Sequence, residues 1–456
     1  MTMRQRLRTS IAITPWPLAI LALLALQLGP LPLKAAALLT LAVIAWAAPL
    51  VLLCLVPATA PFALIPVALT QSAAIPIHEF VLVLALFGWT ITSLQRRRID
   101  VTLQRSDAWI VLLAGAAAVS ILWALPEGRG EALRSLRWVI LEPIIWYVLL
   151  RSSMQRDPSV LRTLVHSMVV SASIVAGLGI LQFVGMDLVP LLGSKRVFAD
   201  NVVATGNIRR VASVYGHANN LGLFLERILP LALLCVIWPV MRLRAAWAWV
   251  AVIAVGLVVS FSRGAWLATV VAVGVVALYH YGADAIRRRP WLIVALTGAG
   301  VLGIVATLLT RGASAGSFDA RVLLWQEAVR WIQLKPQGLG LGQFYFYHNP
   351  EYGHSIIDPV LVGTSEQFAA HPHNLVLDLW LNLGPVGLLA VIAIVATTIR
   401  NTLRHPSPLH TVALAILLST LVHGLVDQFF FVSDMAFLFW LVVFLGQVDT
   451  AHSARL

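Results

Sequence analysis

Residues 374–399 read NLVLDLWLNLGPVGLLAVIAIVATTI, and Arg400 closes the run. Only Asp378 within it is charged. A helix of about 20 apolar residues covers the hydrocarbon core of a bilayer, so this stretch reads as a membrane span. Working outward, similar runs fall at about 14–30, 36–56, 58–75, 78–95, 107–125, 138–150, 160–184, 219–240, 245–261, 265–281, 290–310, 409–427 and 429–447. The run at 58–75 is the weakest, broken by Pro61, Pro66 and Pro76, with a re-entrant segment as the alternative to a span. Of the 456 residues, 59% are hydrophobic and 11% charged, a composition outside the range of soluble domains. The expected fold is therefore all-α: a polytopic membrane helix bundle of about twelve to fourteen spans, with little room for a soluble domain. Residues 1–199 read as N-terminal transmembrane helices and 200–447 as the region that holds the chemistry, including a long loop at 311–373.

Charge sets the expected topology. With all runs crossing, Arg96 to Arg98, Arg105, Arg151, Arg156, Arg242, Arg244, Arg287 to Arg289, Arg400 and Arg404 share one side, which the positive-inside rule makes cytoplasmic. The other side then receives residues 126–137, 185–218, the turn at Ser262 to Gly264, and the stretch from Arg311 to Pro372. That last segment exceeds what a connector needs. Its apolar residues from Arg321 to Leu334 recur at helical spacing, which predicts an amphipathic helix. Net charge is +12, yet it is divided among short clusters between apolar runs, a pattern unsuited to nucleic acid and suited to contact with membrane lipids. Cys54 and Cys235 both lie inside apolar runs and imply neither a disulfide nor a metal site.

Four polar stretches converge on the outer side. Arg209 and Arg210 precede Tyr215-Gly216-His217-Ala218-Asn219-Asn220, where Asn219 or Asn220 is placed to cap the next span. Ser262-Arg263-Gly264 makes a tight turn between two spans. Asp319-Ala320-Arg321 opens the amphipathic helix, which Pro336-Gln337-Gly338-Leu339-Gly340-Leu341-Gly342 terminates. These glycines have no preceding strand and no Gly-Lys-Ser/Thr ending, which excludes a nucleotide loop. His371-Pro372-His373-Asn374 enters the span first quoted. No third metal ligand is apparent beside the two histidines, whereas a histidine at a span mouth suits a general base. Intramembrane Glu142, Glu226, Arg227 and Asp378 each need a partner, and His423 with Asp427 is placed to orient a neighbour.

As an ordered set, these elements resemble the O-antigen ligase and O-antigen polymerase superfamily of bacterial integral-membrane glycosyltransferases. The matching residues are Arg210, Tyr215 and Asn219-Asn220-Leu221, then Ser262-Arg263-Gly264-Ala265-Trp266-Leu267, Arg321 with Trp325, the Pro336 to Gly342 stretch, and His373-Asn374 followed by Leu383-Gly384 and Gly387. The resemblance covers roughly residues 200–430. It implies metal-independent, inverting transfer of a glycan from a polyprenyl (undecaprenyl) diphosphate to an acceptor hydroxyl, such as that of lipid A–core, on the periplasmic face of the inner membrane. No cofactor is implied. His373, Arg210 and Arg263 correspond to the catalytic residues, with Arg209, Arg321, Asn374 and His371 contacting diphosphate or sugar. Ligase is favoured by the Arg-x-x-x-Leu element, while a polymerase adding repeat units, or transfer to a protein hydroxyl, stays open. A transporter or lipid flippase would instead place charges near mid-membrane and show repeat symmetry.

Overall fold

The computed structural model describes residues 15–68, 74–99, 101, 103–188, 203–205, 208–288, 316–428 and 430–448. These residues form an all-α polytopic membrane bundle, with two short antiparallel β-hairpins besides helices. Five helices are long and apolar enough to cross a membrane: Ile77–Arg96, Ser159–Phe183, Ala218–Ile237, Arg263–Gly282 and Leu375–Arg404. A sixth span is obtained if the pair Pro32–Ala47 and Pro49–Phe62, bent by 117°, counts as one. Five more apolar helices have 10–17 residues, shorter than the roughly 20 that a straight crossing requires. The apolar run at 290–310 lies outside the described residues.

The chain divides into two compact units. The first comprises Met1–Thr102 and Ile145–Ser171, with the terminal Leu456. Its described elements begin with helices α1 (Pro15–Leu28), α2 (Leu31–Ala47), α3 (Pro49–Thr59) and α4 (Ile77–Arg96). Two sequence expectations need correction here. The run at 36–56 is broken at Ala48, because the residue before Pro49 is pushed out of helical geometry (φ −145°, ψ 58°). The run at 58–75 is not a span: a 3₁₀ turn at Ala60–Phe62 leads into hairpin β1 (Val67–Ala68) and β2 (Ala74–Ile75). Pro61 and Pro66 withhold the amide hydrogens that a continuous helix would use.

The second unit comprises Leu103–Ile144 and Ala172–Arg455. It contains α5 (Asp107–Ser120), α6 (Arg129–Ser135), the start of α7 (Glu142–Arg156) and the end of α8 (Ser159–Phe183). Hairpin β3 (Val203–Thr205) and β4 (Ile208–Arg210) follows, with Ala204 opposite Arg209. Next come α9 (Ala218–Ile237), α10 (Ala246–Val259) and α11 (Arg263–Arg288). Helices α12 (Gly316–Leu334) and α13 (Phe344–His348) belong to the long loop, and α14 (Leu375–Arg404), α15 (Pro408–Gly424) and α16 (Ser433–Leu445) end the chain. Helix α9 is central, packing against α10, α11 and α15. A Cβ on Gly222 would lie 2.8 Å from the Cβ atoms of Ser262 and Ala265, so the bare glycine lets α9 meet the start of α11.

Long-loop helix α12 is amphipathic, but of Val322, Leu323, Trp325, Ala328, Val329 and Ile332, which the spacing places on its apolar face, only Ala328 is fully buried. Ala320, Leu324, Ala328 and Trp331 face a core completed by Leu339, Phe344, Tyr347 and Leu361, while Val329 is exposed. Within that core His348 Nδ1 lies 2.8 Å from Glu327 Oε2, and Trp331 Nε1 donates to Glu327 Oε1. A loop with its own apolar core and internal polar pairing holds a definite shape.

The glycine-rich stretch after α12 has a backbone role. In α14, Pro385 lacks the N–H that the Leu381 carbonyl would accept four residues earlier. Gly384 breaks the helix there with φ 68° and ψ −178°. The amides of Leu339 and Gly340 fill the vacancy, donating to Leu381 O at 2.7 and 3.1 Å, and Trp380 Nε1 donates to Pro336 O at 2.8 Å. Close approach requires the glycines: a Cβ on Gly338 would sit 2.8 Å from the Trp380 and Leu381 carbonyl oxygens, and one on Gly384 would sit 2.5 Å from Gln337 O. The loop therefore completes the hydrogen bonding of a broken span, as a low-dielectric setting demands.

Candidate functional site

One cleft of about 470 Å³ gathers polar residues from separate parts of the second unit. Arg210 stands at the end of β4. Past the turn that follows, His217 caps α9, its Nδ1 accepting from the Asn219 amide at 3.1 Å. Neither Asn219 nor Asn220 is the cap. Freed from that task, the Asn219 side chain accepts from Arg210 Nη2 at 3.0 Å and donates to Asp427 Oδ2 at 3.1 Å. Arg210 Nε also donates to the Ser260 carbonyl, at 3.4 Å.

His373 enters from the other side. Its backbone takes φ 51°, a left-handed conformation that histidine adopts more readily than bulky residues do. The conformation is pinned twice, by Trp325 Nε1 donating to the His373 carbonyl (3.3 Å) and by the His373 amide donating to His371 Nδ1 (3.3 Å). The ring Nδ1 then lies 3.0 Å from Asp427 Oδ1, which also accepts from the Gln428 amide at 2.9 Å. An ionised carboxylate accepts only, so Nδ1 carries the proton and Nε2 is left with its lone pair toward the cleft. Glu366 Oε2 is 3.7 Å from Nε2, on the side away from Asp427.

Burial by itself would raise the Asp427 carboxyl, but the hydrogen bond from His373 and the surrounding imidazoles outweigh it and hold the group far below its ordinary value. It is therefore an anion at any physiological pH. His371 is pushed down to about 3, first by desolvation and then by the neighbouring His373, so it is neutral in the folded protein.

Arg263, the first residue of α11, and Arg321, in the first turns of α12, border the same cleft half-buried. Neither has a hydrogen bond or an ion pair among the described residues. Such groups call for an anion, since a guanidinium withdrawn from water without a partner is costly.

The cleft thus brings together Arg210, Arg263, Arg321, His371 and His373 of the sequence candidates. Arg209 lies on β4, and its side chain falls outside the described residues. Asn374 is not part of the lining: its Oδ1 caps α14 by accepting from the Val376 and Leu377 amides, and its Nδ2 donates to Leu425 O. The cleft wall also holds His217 and Glu366, which the sequence left unassigned, together with Asn219, read there as a cap, and His423, read there as an orienting group. Asp427 was placed beside His423 as an orienting group, but its target was not readable, because His373 is 54 positions away.

Donor atoms of His371, His373 and Asp427 lie within 4.8 Å of one another, the third ligand that the sequence lacked. This set fits a dication poorly. Asp427 is already committed to His373, Asn219 and the Gln428 amide, and three guanidinium groups in the cleft repel a second cationic centre.

Elsewhere Asp378 accepts from Asn382 Nδ2 at 3.0 Å, and the other buried charges meet charged or polar partners. Glu142 meets Arg137 at 3.4 Å. Glu226 and Arg227, adjacent on α9, approach each other, Arg227 Nη2 lying 3.8 Å from Glu226 Oε1, and each has further partners. Glu226 reaches His423, and Arg227 donates to Thr420 Oγ1, Leu223 O and Met435 Sδ.

No curated protein matches the chain. Residues 248–392, which hold Arg263, Arg321 and His373, match the family model described as O-antigen ligase. The matched stretch, less than half of the chain, is thus similar to the O-antigen ligase superfamily of membrane glycosyltransferases.

Proposed function

We propose that the protein is a ligase that transfers a glycan from a polyprenyl diphosphate carrier to a hydroxyl of a lipid A–core type acceptor, at the extracytoplasmic face of the inner membrane. The observation that carries this reading is the pairing, in one cleft, of a histidine oriented by a carboxylate with half-buried Arg263 and Arg321, which have no hydrogen bond or ion pair among the described residues. Asp427 fixes the His373 tautomer, so Nε2 takes the proton of the acceptor hydroxyl as that oxygen attacks the donor sugar at C1. The bond from C1 to the diphosphate oxygen breaks on the opposite face, its electron pair staying with the diphosphate, and the anomeric configuration inverts. Arg210, Arg263 and Arg321 meet the growing charge through charge-assisted hydrogen bonds. The Arg210, Asn219, Asp427 and His373 chain links the two ends of the reaction, so the base and the anion site are positioned by one network.

The test is transfer by purified enzyme from a polyprenyl-diphosphate glycan. His373→Ala and Arg263→Ala are each expected to lower kcat/KM by on the order of 10²–10³, with EDTA leaving the wild-type rate unchanged. Wild-type rates in both variants, or an activity abolished by EDTA and restored by a divalent ion, would sink the mechanism. Polymerase action belongs to the same superfamily and has the same chemistry. The product decides: one addition to lipid A–core for a ligase, a ladder of lengthened chains for a polymerase.

A further inference from the structure

The cleft has a second histidine and carboxylate pair, deeper than the first. His423, at the end of α15, is 2% exposed, and its Nδ1 lies 2.8 Å from Oε2 of Glu226, which is fully buried on α9. Since the carboxylate accepts, Nδ1 donates. The other ring nitrogen, Nε2, has no hydrogen bond among the described residues and borders the cleft. It faces the first turn of α11, where a Cβ on Gly264 would come within 2.5 Å of it. Residue 264 must lack a side chain for the ring and the helix start to adjoin. The amides of Arg263, Gly264 and Ala265 precede the bond from Trp266 N to Ser262 O, so their hydrogens have no acceptor within the helix.

A buried carboxylate and imidazole inside a membrane bundle cost stability compared with apolar packing of similar volume. What the pair supplies in exchange is a ring nitrogen in a fixed direction, beside an unpaired arginine and a helix N-terminus. As an imidazolium the ring is a donor to an anion, as are the arginine and the helix start, and all three border one wall of the cleft. Charged groups around the ring are Glu226 and Arg227 on α9, Arg263 on α11, and Asp427 beyond the end of α15.

We infer that His423 contacts the diphosphate of the donor, its Nε2–H joining Arg263 and the first turn of α11, while Glu226 is a positioning residue that offsets the ring charge. This assignment rests on the diphosphate reading of the cleft. It gives the two histidines separate tasks: His373 serves the acceptor hydroxyl and His423 the leaving group.

Farnesyl diphosphate, a soluble probe with the same headgroup, tests it as a competitive inhibitor at saturating acceptor. His423→Gln is expected to raise its Ki by about ten- to a hundred-fold, the loss of one hydrogen bond to a charged group, with the KM for acceptor unchanged. Glu226→Gln should raise Ki less, and Arg263→Gln serves as the reference. If Arg263→Gln weakens the probe and His423→Gln does not, or if His423→Gln lowers kcat and worsens acceptor KM with Ki intact, the inference is overturned while the diphosphate reading stands. An unchanged Ki in Arg263→Gln overturns the diphosphate reading itself. Should His423→Gln fail to fold, Gly264→Ala places a methyl against Nε2 without removing any polar group. It is expected to raise Ki similarly, and an unchanged Ki in that variant also overturns the proposal.

Discussion

At the scale of single residues, the cleft separates groups that sequence position would lump together. His371 and His373 are two apart, yet one is neutral and accepts the other's backbone amide, while the other is aligned by a carboxylate. Their difference has a consequence for acid stability. The folded protein holds His371 at about 3 against an ordinary 6.5, so below 6.5 the unfolded chain binds a proton that the folded chain refuses. Stability should therefore fall as pH drops from 6.5 toward 3. His371→Gln keeps an acceptor for the His373 amide and removes that titration. Its thermal midpoint at about pH 5 should lie closer to its neutral-pH value than the wild type's does, and equal acid sensitivity of the two proteins would contradict the assignment. The arginines and histidines were visible in the sequence because charge stands out against apolar runs. Their partners were not, since Asp427 and Asn219 reach them only through packing of α9 and α15.

At the scale of elements, hydropathy found most helices and misplaced those that proline controls. Ala48 and the segment after α3 departed from the reading because apolar content is blind to a missing amide hydrogen. Pro336 to Gly342, already excluded as a nucleotide loop, shows a related limit: glycines needed for close backbone approach look alike in sequence, whatever they approach. Here they approach a broken helix. Gly384→Ala puts a Cβ 2.5 Å from Gln337 O at a φ of 68°, and a cost of about 1–3 kcal/mol is expected from that backbone strain alone. The measurement is a lower unfolding midpoint in detergent, with Gly353→Ala, also at positive φ but with open space around it, losing less.

At the scale of the molecule, sidedness is the property on which the mechanism depends. Past the break at Gly384, the last 20 or so residues of α14, Pro385 to Arg404, rise about 30 Å, the thickness of a bilayer core, so Arg404 is expected on the face opposite His373. His373 stands just before one end and Arg404 at the other. Because Cys54 and Cys235 are buried, introduced cysteines report cleanly. In intact cells, an impermeant maleimide is expected to label Glu351→Cys in the long loop and to label Arg404→Cys only after the membrane is opened. The reverse pattern would put the cleft on the cytoplasmic side. The glycine segment that closes the break in α14 also fixes the long loop in place. Lifting Leu339 and Gly340 away would strand the Leu381 carbonyl, whose helical partner position is occupied by a proline, so this stretch is a fixed brace and not a lid. Its release is then no part of turnover, and a disulfide that ties the glycine segment to α14 should leave the rate intact.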